Sequence, residues 1–501
     1  MIDYFQILCG LLVLVLSFYY YYTATFDFWK NRNVRGPKPV VFFGNLKETA
    51  FKKVSMTEHV KNMYDQFKHE PVFGIFQGKT PTIVVTDLEL IKNVLIRDFS
   101  QFSQRGLGYS RRVEPLEEHL FFLDTPRWRP LRPKFSTIFS SGNLKEMFNL
   151  ILKCSNDLEK YMDKVIGNGG LVECRELAGK YTTDVIANCM FGLDISTLPN
   201  EDSEFREMGR RVFKPSKTMV VRDTLKQFVP GLYNWIGHAV QPEGVINFFT
   251  RAMLDTIKYR EEKKIFRPDC INVLMDIHQN PEKAGSFKPT EQLLATQGFV
   301  FFLAGFENTS LTISHALYEL AQNHEIQDKL RAEIQEDYAE NGETLTYDRI
   351  RDLKYLDMVF KETLRKYPVL TTLFRENIED YTFKGTDVTI PKGTKVWIPV
   401  YAIQNDENHY PNPEKFDPER FTKEAEAARH PMSYLPFGDG PRNCIGARFS
   451  QNQVKLGILT VIRKYKVDVC QQTTVPYQHE KRSLMLMLKG GVNLKLSKVD
   501  Y

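Results

Sequence analysis

Residues 4–26 carry no charge (YFQILCGLLVLVLSFYYYYTATF) and are predominantly apolar on every face of a helix drawn through them. Such a helix would be about 34 Å long, enough to cross a hydrocarbon layer of about 30 Å. The pattern then changes. Arg35-Gly36-Pro37-Lys38-Pro39 has φ fixed at two prolines and predicts a semi-rigid spacer. Beyond residue 45, β-branched and alternating positions predict strands in three places. Residues 72–86 (VFGIFQGKTPTIVVT) divide at a turn near Gly78, and residues 381–400 contain VTIPKGTKVWIPV. Residues 484–496 (LMLMLKGGVNLKL) form two runs that Gly490-Gly491 would close into a hairpin. Most of the remainder has the period of helices, as in 291–335 and 350–366. The expectation is a chain that is mainly α with small β-sheets. It would comprise an anchor (1–28), a basic proline-containing linker (29–45) and a single large domain (46–501).

Charge orients the anchor. Lys30, Arg32, Arg35 and Lys38 follow the apolar run and only Asp3 precedes it, which predicts a cytosolic body. The tyrosines at 19–22 lie near one end, where aromatic rings favour the interface. A cleaved signal peptide would need a basic start and a small-x-small site. The first is absent and Thr23-Ala24-Thr25 is a poor version of the second. A net charge of +5 over 501 residues does not suggest nucleic acid as a partner. The seven cysteines, Cys9, Cys154, Cys174, Cys189, Cys270, Cys444 and Cys470, form no CxxC pair and no zinc-finger spacing. Their odd count and scatter argue against a disulfide framework, and all but one read as small buried apolar side chains.

The exception is Cys444, in Phe437-Gly438-Asp439-Gly440-Pro441-Arg442-Asn443-Cys444-Ile445-Gly446. Two glycines before the cysteine permit a tight turn with φ > 0, and Gly446 allows a close backbone approach. The helical pattern ARFSQNQVKLGILTVIRKY follows. The cysteine is therefore expected in a loop at a helix N-terminus, where the dipole and free N–H groups favour a thiolate. The bland alternative is a glycine-rich loop with an incidental cysteine, but all five fixed positions of FxxGxRxCxG match.

This loop resembles the haem-binding loop of cytochromes P450, and other matches follow the family's order. Glu362-Thr363-Leu364-Arg365 resembles the ExxR motif, whose ends share a helix face. Two further copies, Glu207 to Arg210 and Glu426 to Arg429, read as solvated helix surface. Pro418-Glu419-Arg420-Phe421 resembles the PERF segment, and the resemblance implies a buried charge network of Glu362, Arg365 and Arg420. Trp128-Arg129-Pro130-Leu131-Arg132 resembles the WxxxR element, although Pro133 should strain a helix there. Ala304-Gly305-Phe306-Glu307-Asn308-Thr309 resembles the centre of the oxygen-binding helix, with Asn308 where the family has threonine and Thr309 one residue later. Gly305 is expected to let oxygen or substrate lie against that helix. The details FFLAGFE, PNPEKFDPERF and LPFGDGPRNCIGARF look most like the insect microsomal P450s of family 6.

The resemblance implies a cytochrome P450 fold and haem b (heme b, iron protoporphyrin IX) ligated by Cys444. Trp128, Arg132, Arg375, Phe437 and Arg442 would lie at the cofactor, with Trp128 and the three arginines on its propionates. Glu307 with Asn308 or Thr309 would guide protons. Phe121-Phe122 and Phe301-Phe302 are candidates for an apolar pocket or for core packing. Also implied are an endoplasmic-reticulum location, electrons from NADPH–cytochrome P450 reductase, cytochrome b5 as a further candidate partner, and lipophilic substrates such as xenobiotics or plant toxins. Asn308 leaves open a P450-fold isomerase or dehydratase that needs no reductase. A non-catalytic haem- or hydrophobe-binding protein is disfavoured by the complete cysteine loop.

Overall fold

The computed structural model describes residues 4–198, 203–213, 216–242, 244–285, 289–483 and 485–499. Helices dominate, and three small sheets lie among them. In the largest sheet, β1 (Val72–Gln77) and β2 (Thr80–Val85) form an antiparallel pair across the Gly78 turn. β2 runs parallel to β7 (Lys395–Ile398), which pairs antiparallel with β4 (Leu373–Glu376). A second sheet has the order β3 (Leu171–Glu173), β9 (Asn493–Lys498), β8 (Tyr465–Val469). β5 (Tyr381–Thr382) and β6 (Thr389–Ile390) form the third.

The expected hairpin over 484–496 does not form; residue 484 itself lies outside the described residues. Gly490 and Gly491 do turn the chain, both at φ 82°. Both edges of β9 are already taken, by β3 and β8. The run before the glycines therefore pairs with residues 478–480 instead, through Glu480 N–H to Met487 O and Lys489 N–H to Gln478 O, both 2.8 Å.

The helix Tyr4–Thr23 is apolar all round and buries none of its side chains. It is three residues shorter than the uncharged run, at about 30 Å still long enough to span a bilayer. Asp3, used to orient it, lies outside the described residues. Residues 29–45 are not a free spacer. Trp29 is buried and its Nε1 donates to Ile75 O at 2.9 Å, Gly74 N–H donates to Arg35 O, and Asn45 binds Pro37 O and Phe76 N–H. The prolines stiffen a strap laid along β1.

The central helix, Glu291–Gln322, is capped by the Thr290 hydroxyl and is largely buried. The pattern predicted to run to residue 335 breaks at Asn323, whose side chain donates to Glu319 O at 2.8 Å and competes with the backbone. A second helix, His324–Asn341, starts there. Helix Thr125–Ser136 is capped by Asp124 and runs through both Pro130 and Pro133 without interruption, so the strain expected at Pro133 does not end it.

The ExxR and PERF residues meet in the interior on helix Lys354–Lys366 and the turn Pro418–Phe421. Arg365 Nε and Nη2 donate to Glu362 at 2.7 and 2.9 Å, and Arg420 Nε lies 3.6 Å from the same carboxylate. Of the other two copies, Glu207 and Arg210 pair on the surface as expected. Glu426 and Arg429 do not fit that reading. Glu426 pairs with Lys361, while Arg429 is half-buried over the rings of Tyr410 and Phe421 and donates to Arg420 O.

Candidate active site

The cysteine loop is shaped by two left-handed glycines, Gly438 (φ 65°) and Gly440 (φ 72°). A side chain at Gly440 would place its Cβ 1.9 Å from Leu95 O, so only glycine fits. The loop closes with Cys444 N–H on Phe437 O at 2.8 Å, and helix Ala447–Lys464 starts at Gly446. Cys444 is exposed, yet what it faces is an internal cavity of about 230 Å³ that it helps to line. Burial pushes its thiol pKa up, against the N–H of Gly446 and the guanidiniums of Arg132 and Arg105. The protein alone thus favours the thiol, and a coordinated metal ion would reverse that. Cys154, Cys174, Cys189 and Cys270 are buried and unpaired, as small apolar side chains should be, whereas Cys9, exposed on the apolar helix, and the half-buried Cys470 depart from that expectation.

The other wall of the cavity is the central helix, through Phe301, Ala304, Gly305, Asn308, Thr309 and Thr312. The helix stays α-helical here, so Asn308 sits on the middle of the stripe and the buried Thr309 on its flank. Thr312 donates to Asn308 O at 2.9 Å, a bond along the helix that leaves the amide of Asn308 to the cavity. Glu307 points elsewhere. It is buried, its Oε1 accepts from Arg175 Nε at 2.8 Å and Nη2 at 2.5 Å, and it does not line the cavity. Gly305 lines the cavity, but the space its missing Cβ leaves is filled by Ile186, whose Cδ1 would be 2.1 Å away. The glycine admits a neighbouring helix, not a ligand, which corrects the reading of oxygen or substrate lying there. Phe121 and Phe301 line the cavity. Phe122 packs on Tyr109 and His119, and Phe302 on Phe249 and Phe306.

One end of the cavity is cationic. Arg442 and Arg375 are buried, Arg132 is half-buried, and Arg105, which no motif marked, joins them. Arg442 stacks over Trp128 at 4.1 Å and donates to Ser103 O and Leu123 O at 3.0 and 2.9 Å. Arg132 donates to Asn443 Oδ1, Arg105 to Phe121 O and Arg442 O, and Arg375 Nη1 to Phe374 O. Arg375 Nε is buried with no partner. Burial, and then Arg375 and Arg132, push Arg442 down to about 9, and burial pushes Arg375 down to about 10. A guanidinium stays charged in proteins, so the depression measures positive charge held without an anion.

A flat, largely apolar group bearing carboxylates, with a metal at its centre facing Cys444, meets each of these demands. The family model described as Cytochrome P450 matches residues 34–496. The chain belongs to the cytochrome P450 family.

Among its relatives are P450s of insects. The chain is 38% identical to Cytochrome P450 6a2 of Drosophila melanogaster, covering 96% of this chain and 97% of the relative. It is 36% identical to Cytochrome P450 6B1 of Papilio polyxenes over 98% of each, and 39% identical to Cytochrome P450 6A1 of Musca domestica over 96% and 95%. The protein is accordingly a P450 monooxygenase with haem as its cofactor. The site fits that group: the unpaired Arg375 Nε and the four crowded guanidiniums lie where propionates would neutralise them. At Gly446, on the cavity wall, a Cβ would meet no protein atom nearer than Phe139 at 3.8 Å.

Proposed function

We propose that this P450 binds haem b with Cys444 as iron ligand and oxidises lipophilic small molecules, foreign compounds or plant toxins among them. The reading is carried by one juxtaposition: Cys444 and the Asn308 stripe line the same cavity, together with apolar side chains and four arginines. Haem supplies the O₂ chemistry, favoured by electron density from a thiolate ligand. One oxygen atom enters the substrate; the other leaves as water with two protons and two electrons. The chain contributes position and environment. Arg105, Arg132, Arg375 and Arg442, with Trp128 stacked on the last, would hold the propionates, and Phe437 would pack on the cofactor near Cys444. Phe121, Phe139, Ile186, Met190, Val300, Phe301, Val369 and Leu370 exclude water and favour apolar substrates.

Protons would be steered at the distal wall by Asn308, whose amide separates donor and acceptor, and by the adjacent Thr309 hydroxyl. Glu307, tied to Arg175, would act from behind the helix through water. Electrons would come singly from NADPH–cytochrome P450 reductase, with cytochrome b5 as a second donor. The apolar helix Tyr4–Thr23 and the basic residues after it support an endoplasmic-reticulum anchor with the body in the cytosol. A second reading, a P450-fold isomerase or dehydratase acting without reductase, rests on Asn308 in the cavity. NADPH consumption with reductase present separates them. Stimulation by lipophiles, with oxygenated product, supports the monooxygenation of lipophiles. Turnover without reductase or NADPH supports the isomerase.

A further inference from the structure

Most of the cavity wall is helix, strand or cysteine loop. One stretch is not. Residues 118–123 are irregular, and an irregular segment must find partners for its backbone groups outside itself. Two come from within, Phe122 and Leu123 N–H on His119 O. The His119 N–H turns back to Glu117 O at 2.8 Å, and further partners come from side chains on both flanks. On one flank, Gln297 of the central helix accepts from Leu120 N–H at 2.9 Å and donates to Glu118 O at 3.1 Å, and the Thr296 hydroxyl, shared with Leu293 O at 2.7 Å, reaches the same Glu118 carbonyl at 2.9 Å. On the other, Arg105 holds Phe121 O and Arg442 holds Leu123 O, both at 2.9 Å.

Gln297 stands out in the apolar run LLATQGFVFF and is only 1% exposed. A buried amide is costly unless bonded, and here both ends of the amide are engaged while the segment lies closed. Opening strips it of two bonds at once, leaves its oxygen without a partner and its nitrogen only bonds within its own helix, to Leu293 O and the Thr296 hydroxyl, and carries away Leu120 and Phe121, both part of the cavity wall. We propose that Gln297 is a positioning residue that latches segment 118–123 over the cavity and so sets which lipophiles enter by size. The proposal rests on the cavity being the haem and substrate chamber. Bulky ligands need the segment displaced; small ones do not.

The test uses full-length holoprotein, with Gln297→Met removing the latch at nearly constant shape and Thr296→Val removing one donor. Hydrogen exchange is read at the Leu120 amide, and binding and release rates are read spectrally for imidazole and for a bulky triphenylmethyl-substituted imidazole. In Gln297→Met the Leu120 amide should exchange roughly tenfold faster, as loss of a buried partner implies. The bulky azole should bind and leave roughly tenfold faster, while imidazole rates change less than about twofold. Thr296→Val should shift the same rates in the same direction by a smaller factor, and it decides the matter if Gln297→Met does not assemble. Unchanged Leu120 exchange, unchanged bulky-azole rates, or equal acceleration of both azoles would overturn the latch and leave the site reading standing. Failure of both azoles to perturb the wild-type spectrum would overturn the chamber reading and the latch with it.

Discussion

Replacing Glu362 with leucine removes the carboxylate at the centre of the most deeply buried charge network. That carboxylate accepts from Arg365 Nε and Nη2 at 2.7 and 2.9 Å and from the Asp417 N–H at 2.9 Å, and neither ion-paired side chain is exposed. Arg365 keeps its bonds to Gln404 O (3.0 Å) and Pro413 O (2.7 Å), so it cannot swing out to water. Breaking a buried pair from one side costs about 3–5 kcal/mol, because a charge is left uncompensated. Unfolding entropy of about 2.1 cal/mol/K per residue amounts to about 1 kcal/mol/K for a chain of this length, so Tm should fall by about 3–5 °C. Calorimetry on holoprotein, run beside its CO spectrum, reads the change. Glu362→Leu combined with Arg365→Met should be clearly less destabilised than the sum of the two single variants, since the orphaned charge is then gone. A fall in Tm below about 1 °C in Glu362→Leu, or strict additivity in the double variant, would refute the reasoning.

Asn308→Thr should raise product formed per NADPH consumed and Thr309→Ala should change it little; collapse in Thr309→Ala with Asn308→Thr neutral would transfer the proton-steering role to Thr309. Charge reversal at the exposed Arg129 and at Lys134 should raise the apparent KM for reductase and blunt its salt dependence while peroxide-supported turnover survives. Equal loss with both electron sources would contradict a docking role. The same reversal at Arg127, which is paired with Glu118 and Asp124, would break internal ion pairs and does not test docking. Deleting residues 1–23 stops short of Phe26, packed on Phe76, and of the buried Trp29. It should release the protein from membranes with haem binding intact, and protease added to sealed microsomes should digest the wild-type body. Protection of the body would contradict the cytosolic topology.

Much of this was legible from period and spacing. The strands at 72–86, the helix after Cys444 and the left-handed glycines before it follow from local chemistry, and local chemistry is what a sequence carries. The misreadings share another cause. Whether 484–488 pairs with 492–496 depends on who occupies the edges of β9, and β8 and β3 come from distant parts of the chain. Gly305 reads as space for a ligand until Ile186 is seen to fill it. Glu307 sits in the right motif, but its direction is set by Arg175, far off in sequence. Arg105 and Gln297 match no motif. The one available signal at Gln297 was a polar amide in an apolar helical run, which must be bonded to something.

The account's central claim is that Cys444 ligates the haem iron, and the reduced CO complex tests it most directly. Cys444→Ser should abolish the thiolate-type absorption of that complex, while serine at the buried Cys154, Cys174 or Cys270 should leave it intact. A normal thiolate-type CO spectrum in the Cys444→Ser protein would contradict the assignment, and with it the placement of the site.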